Sequence, residues 1–219
     1  MKKVYLYSRY ERLWHWTQMA LIFLLAITGF EIHGSYALFG FEEAVEIHDI
    51  SAIALLVLTV FTIFWDFTTG QWRLYIPHTK NFYAQVEYYL KGIFRNANHP
   101  VKKTILNKFN PIQGFVYVGL KLVLLPLLYI TGLIYFFHQN TIFQIPIDNI
   151  ELVAILHLIG AFLMVTFIVL HVYLITTGTT IFSNLKSMIT GWEDLHDDEA
   201  EEVEKELSEQ NKKFFKVKS

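Results

Sequence analysis

Four long apolar runs alternate with polar stretches along this chain, at Leu13–Ile32, Ile47–Phe67, Gly114–Phe137 and Leu152–Thr176. A helix of about 20 apolar residues crosses a hydrocarbon core about 30 Å thick, so each run is long enough to span. The pattern predicts an all-α integral membrane protein: a bundle of four transmembrane helices. A long polar loop, 68–113, separates the second helix from the third. The first run is too long for a cleaved leader and lacks a small-residue cleavage site, so it is expected to remain as a helix.

The polar stretches carry their own signals. Trp14 and Trp16 suit a membrane interface. Phe82–Phe94 groups aromatics at helical spacing, as an interfacial amphipathic helix does. Asn110 and Pro111 predict a turn before the third helix. Leu185–Gly191 reads as a short interfacial helix. Residues 1–191 form the expected membrane domain and 192–219 a charged tail, acidic over Asp194–Glu209 and basic at its end. That tail reads as a solvated helix or a partly disordered segment. The match between ITGF at Ile27–Phe30 and ITGL at Ile130–Leu133 reads as a local echo, not a repeat.

Charge sets the orientation. Lys2, Lys3, Arg9 and Arg12 precede the first helix, and Arg73, Lys80, Lys91, Arg95, Lys102, Lys103 and Lys108 fill the long loop. The two other connections, 34–46 and 138–151, hold no Lys or Arg. The positive-inside rule then places both termini and the long loop in the cytoplasm. Composition agrees with a membrane protein, at 53% hydrophobic residues and a mean hydropathy of +0.35. The absence of cysteine excludes thiolate-held clusters, covalent c-type haem and disulfides within this chain. A cofactor must be held by histidine or other side chains.

Nine histidines are present. His78, His99 and His196 fall in loops or tail and read as solvated. His33 and His138 mark the outer ends of the first and third helices and read as interfacial. His15, His48, His157 and His171 lie within the helical runs, where a buried polar ring is costly and points to function. His157 and His171 stand 14 residues apart, which is about 21 Å along a helix and nearly the same face. Topology places His15 and His171 near the inner side, and His48 and His157 near the outer side.

Each depth thus has two histidines on separate helices. Core histidines hydrogen-bonded between helices are the simpler reading of any one alone. Zinc takes three or four clustered ligands, whereas two axial nitrogens suit a haem, whose porphyrin supplies the other four. The expectation is two b haems stacked across the membrane. Gly29 and Gly132 lie at the outer depth, where a missing Cβ admits a porphyrin; ordinary small-residue packing explains them equally. Arg12, one turn before His15, suits a haem propionate, and also a positive-inside anchor.

Taken together, R-x-x-H-W at Arg12–Trp16, T-G at Thr28–Gly29, His48, N-P-I-Q at Asn110–Gln113, T-G at Thr131–Gly132 and H-x13-H-V-Y at His157–Tyr173 resemble one family. It is the di-haem cytochrome b subunit of respiratory formate dehydrogenases, nickel–iron hydrogenases and thiosulfate reductases. The resemblance covers roughly Tyr10 to Gly191. It implies haem ligation by His15 with His171 and by His48 with His157. It also implies a quinone pocket (menaquinone or ubiquinone) beside the inner haem, with Asn110 and Gln113 as its polar residues. A helix-start cap is the simpler reading of those two amides. The implied partners are membrane lipids and an outer-face redox subunit. That subunit is an Fe–S protein of a dehydrogenase, hydrogenase or reductase, or a multihaem c-type cytochrome. No nucleic acid is expected. The implied location is the bacterial or archaeal cytoplasmic membrane, and substrate chemistry beyond quinone belongs to the partner. Two rivals remain at this point: a transporter or channel relaying protons through histidines, and a purely structural anchor.

Overall fold

The computed structural model describes residues 1–77, 81–92, 95, 109–139, 149–178, 180–195, 197, 199–206 and 208. His78, His99 and His196, the connection at 140–148 and the basic end of the tail lie outside them. Four helices are long and apolar enough to cross a membrane: Arg9–Ile32, Phe41–Thr69, Pro111–His138 and Ile150–Ile175. At most 22% of the apolar stretch of any of them is buried inside the protein. The rest of that surface needs lipid around it, since water would meet apolar patches far larger than soluble proteins expose. The chain is a multi-pass membrane protein built as a four-helix bundle.

The helices begin earlier than hydropathy alone predicts, because polar residues start them. Helix α1 (Arg9–Ile32) opens on a reciprocal cap. Glu11 accepts the Ser8 N–H at 2.7 Å and Ser8 Oγ accepts the Glu11 N–H at 3.2 Å, which satisfies two orphan donors. Helix α2 (Phe41–Thr69) carries Glu42 and Glu43 in its first turn, where the helix dipole favours negative charge. Glu31, buried at the end of α1, accepts the backbone N–H groups of Leu38, Phe39 and Gly40 at 2.6, 2.8 and 2.9 Å. It thereby fixes the turn between α1 and α2.

The third span changes helix type along its length. It runs as α-helix over Pro111–Gly119, as π-helix over Leu120–Leu124 and as α-helix again over Leu125–Gln139. Pro126 has no N–H to donate and its ring crowds the carbonyl four residues earlier; a wider turn upstream relieves both. The remaining helices are α3 (Phe82–Glu87), α4 (Pro111–Gly119), α5 (Leu125–Gln139), α6 (Ile150–Ile175) and α7 (Ser183–Thr190). Helix α3 and the π turn Tyr88–Gly92 occupy most of the stretch expected as an amphipathic helix.

Two compact units divide the chain. One comprises Leu13–Thr69 and Gly119–Val172. Its core takes one buried residue from each span: Ile22, Leu55, Leu125 and Met164. Met164 stands midway between His157 and His171, so the apolar layer lies between the depths of those two histidines.

The other unit comprises Met1–Arg12, Gly70–Val118 and Tyr173–Ser219. Here β1 (Lys2–Tyr5) pairs antiparallel with β2 (Trp192–Leu195), with Lys3 opposite Asp194 and Tyr5 opposite Trp192. Beyond β2, residues 199–206 are helical, and Ala200 and Val203 are buried against Leu195. The charged tail therefore begins as a strand zipped to the N-terminal segment. Gly191 joins α7 to β2 at φ +86°, and its carbonyl accepts the Leu6 and Tyr7 N–H groups at 2.9 and 3.2 Å.

Candidate functional site

Within the first unit the four histidines of the helical runs meet in two pairs. His15 on α1 faces His171 on α6, with ring centroids 6.2 Å apart. His48 on α2 faces His157 on α6, with centroids 6.4 Å apart. Both separations lie in the range of ordinary ring contacts, so the pairing of four intramembrane histidines at two depths carries as much as the distance. A metal–nitrogen bond of about 2 Å, with about 1.2 Å from nitrogen to ring centre, sets two axial imidazole centres about 6.4 Å apart. Both pairs fit that separation. No cluster of three or more metal-binding side chains occurs among the described residues.

The His48–His157 pair is oriented by two matching clamps. Thr28 Oγ1 lies 2.9 Å from His48 Nδ1, and Thr131 Oγ1 lies 2.8 Å from His157 Nδ1. Each threonine already donates its hydroxyl proton to the carbonyl four residues back, Leu24 at 2.7 Å and Leu127 at 2.6 Å. With its one proton committed, each hydroxyl accepts from the ring, so Nδ1 carries the hydrogen. The Leu25 carbonyl also faces the His48 ring, consistent with a donor there. Nε2 is then the free lone pair, the form an iron ligand requires.

The glycine after each threonine makes room for the same ring. A Cβ on Gly29 would lie 3.3 Å from His48 Cε1, and one on Gly132 would lie 3.4 Å from His157 Cε1. The sequence left porphyrin approach and ordinary small-residue packing equally open for these glycines; the structure adds that each lies against an imidazole.

The His15–His171 pair has a different setting. Phe167 stacks on His171 at 5.6 Å and Trp16 meets His15 edge-on at 5.4 Å. His15 Nδ1 is buried with no hydrogen-bond partner among the described residues. Arg12, one turn earlier on α1, donates to the Ile189 carbonyl, while its Nε is buried and lacks an acceptor among the described residues. An orphaned buried donor costs about 1–3 kcal/mol. A propionate carboxylate is an acceptor that would remove that cost. His33 is exposed and His138 half-buried at the ends of their spans.

Asn110 and Gln113 start the third span as a reciprocal cap. Gln113 Oε1 accepts the Asn110 N–H at 3.1 Å, and Asn110 Oδ1 accepts the Gln113 N–H at 2.9 Å, with Pro111 in the first helical position. The cap leaves the Asn110 amide N–H₂ over, and it donates to the Tyr89 hydroxyl at 2.7 Å.

A model of one family, prokaryotic cytochrome b561, matches residues 6–191. The chain belongs to that family. A curated relative, named "Putative cytochrome YdhU" in Escherichia coli (strain K12), is 33% identical over 198 residues. The match spans 87% of this chain and 75% of the relative. This cytochrome b561 is a membrane electron-transfer protein, and the family implies b-type haem. The family fits the cytochrome b resemblance carried by the motifs, and an electron carrier displaces both the proton-relay transporter and the purely structural anchor.

Some features escaped the sequence reading. Thr28 and Thr131 were seen only as part of a motif. Lys121 Nζ pairs with Asp66 Oδ2 at 2.9 Å and stands 5.8 Å from the Trp14 ring centre. A charge within an apolar run was the signal for that pair. Tyr89 gave no signal, because its partner Asn110 lies 21 residues away.

Proposed function

We propose that this cytochrome b561 carries two b haems, one between His15 and His171 and one between His48 and His157. The observation that carries this is the spacing of the two facing imidazole pairs, 6.2 and 6.4 Å between centroids. When bound, each haem iron accepts and releases a single electron. The chain's own residues do the rest. Thr28 and Thr131 hold the hydrogen on Nδ1 of His48 and His157, which leaves each Nε2 lone pair free for a metal. Arg12 offers a donor to a propionate. A haem held by both histidines of a pair would supply electron transfer and not oxygen binding.

Both termini lie in the cytoplasm, by the asymmetry of Lys and Arg, and the membrane is the bacterial or archaeal cytoplasmic membrane. The quinone pool is the redox partner on the cytoplasmic side, at Asn110 and Gln113, whose amides suit a quinone carbonyl. The outer-face partner is an Fe–S subunit of a dehydrogenase, hydrogenase or reductase, or a multihaem c-type cytochrome, anchored to the membrane by this chain. The motif resemblance supports these assignments.

Haem counting on purified variants tests the reading. Wild type should hold two haems per chain with a reduced b-type α-band. His15→Ala or His171→Ala should remove one, His48→Ala or His157→Ala the other, and a double variant drawn from one pair should lose no more than either single. A single haem in wild type, or loss through His33→Ala instead, would overturn it.

A further inference from the structure

The two histidine pairs differ in their surroundings, and the differences share one electrical sign. At His48–His157, Thr28 Oγ1 and Thr131 Oγ1 take the Nδ1 hydrogens at 2.9 and 2.8 Å. A ring that gives its hydrogen to an acceptor becomes the more basic ligand, and a more basic ligand favours the ferric state. His15 Nδ1, by contrast, is buried with no hydrogen-bond partner among the described residues. Its ring gains no such basicity.

Charge follows the same division. Glu31 stands three residues beyond Thr28 on α1, about 4.5 Å along the axis. It keeps only 5% of its exposure. Its Oε1 takes three backbone N–H groups, the charge-assisted bonding of an ionised carboxylate. Its Oε2 is buried and unpartnered among the described residues. A negative charge in a low-dielectric setting favours the more positive iron and lowers its potential. At the other depth, Arg12 stands three residues before His15 and donates to the neutral Ile189 carbonyl, which leaves its positive charge in place. The Asp66 carboxylate is answered by Lys121 at 2.9 Å, so that pair adds no net charge.

We propose that Thr28, Thr131 and Glu31 set the potential of a haem at His48–His157 below that of one at His15–His171. The proposal rests on the two-haem reading of the pairs. The threonines act through the rings they orient, and Glu31 acts through its field. An electron then falls from a ferrous haem at His48–His157, which is oxidised, to a ferric haem at His15–His171, which is reduced. The asymmetry of Lys and Arg puts His48–His157 on the outer side, so the drop runs inward. The reaction class that suits this drop is an oxidation on the outer face, delivering single electrons through an Fe–S centre or a c-type haem. Two such electrons and two protons from water convert a quinone to a quinol on the inner side.

The test is a mediated redox titration of the full-length haem-loaded protein in detergent, read at the α-band. Wild type should show two one-electron steps. His171→Ala, which keeps the His48–His157 haem, should titrate below His157→Ala, which keeps the other. Thr28→Val and Thr131→Val should each raise the lower step and leave the upper one in place, and Thr28→Ser should move neither. A loss of about tenfold in affinity, the lower end for a missing outer partner, placed on the ferric state is about 59 mV for one electron. Glu31→Gln keeps the Oε1 acceptor, removes the charge and changes no ligand. It should raise the lower step even where a valine variant sheds haem. The reverse order of the two single-haem variants would overturn the proposal and leave the two haems standing. So would a lower step unmoved by Thr28→Val and Glu31→Gln alike. A single step with one haem per chain would overturn both.

Discussion

Thr28 Oγ1 accepts the Nδ1 hydrogen of His48 at 2.9 Å because its own proton is held by the Leu24 carbonyl at 2.7 Å. The threonine thereby selects the tautomer of a ring on another helix. Thr28→Val keeps the shape and removes the acceptor, which leaves a buried N–H unmatched and the ring free to turn. Losing such an outer partner typically costs about 10–100-fold in metal affinity. Thr28→Val and Thr131→Val should each lose the haem of the His48–His157 pair more readily by about that factor, and Thr28→Ser should not. Haem transfer into an excess of an apoglobin trap measures it. Unchanged retention in the valine variants would remove the orienting role.

The four spans and the four histidines that pair within them were legible because both signals are local. An apolar run declares itself over about 20 residues, and a polar ring inside one stands out against its neighbours. Hydropathy could not see where the helices begin, since Ser8, Glu11, Glu42 and Glu43 start them with polar caps and charge. The echo of ITGF and ITGL looked local and proved to mark two copies of one histidine clamp. The pairing of β1 with β2 was not legible at all. Strands of four residues carry little pattern, and their partners stand at opposite ends of the chain. The tail's acidic character is partly explained by that pairing, with Asp194 opposite Lys3 and Glu204 at 3.7 Å from Lys2.

The Lys121–Asp66 pair ties the π segment of the third span to α2. Its side chains keep 28% and 12% of their exposure, so solvent screens the pair weakly. Removing one partner strands a charge in a low-dielectric setting and costs about 3–5 kcal/mol, whereas replacing both with apolar residues is often neutral. Lys121→Met should therefore lower the thermal midpoint in detergent sharply. Lys121→Met with Asp66→Leu should recover most of the loss. A double variant as unstable as the single one would show that the pair does more than neutralise itself.

Gly191 is the joint on which the N-terminal strand hangs. Its φ of +86° is one that a side chain enters at a cost of about 1–2 kcal/mol. A Cβ there would also lie 2.5 Å from Tyr5 Cε2 and 2.7 Å from the Tyr7 carbonyl oxygen. The ring can swing away, but the backbone oxygen cannot without breaking the bonds that Leu6 and Tyr7 make to the Gly191 carbonyl. Gly191→Ala should open the β1–β2 pairing and leave the histidine pairs of the other unit in place. Hydrogen exchange should rise across Lys2–Tyr7 while the haem spectrum stays as in wild type.

Tyr89 makes alkaline stability a probe of the amide cluster. Burial, the largest cause, pushes its phenol from 10.0 up to about 12, with neighbouring Tyr88 and Tyr173 adding to it. Hydrogen bonds from Asn110 and Gln85 act the other way, since each steadies the phenolate. A folded group that holds its proton more tightly than the unfolded chain gives stability that is complete below the unfolded value. That stability is lost as pH rises toward the folded value. The window is therefore pH 10.0 to about 12. Across it, wild type should lose stability, and Tyr89→Phe should flatten the loss. Asn110→Ala removes a bond to the phenolate, so it should move the Tyr89 transition still higher. Tyrosinate absorbance in wild type minus Tyr89→Phe isolates that titration. A transition near 10 would show the hydroxyl to be solvated and would break the link between Tyr89 and Asn110.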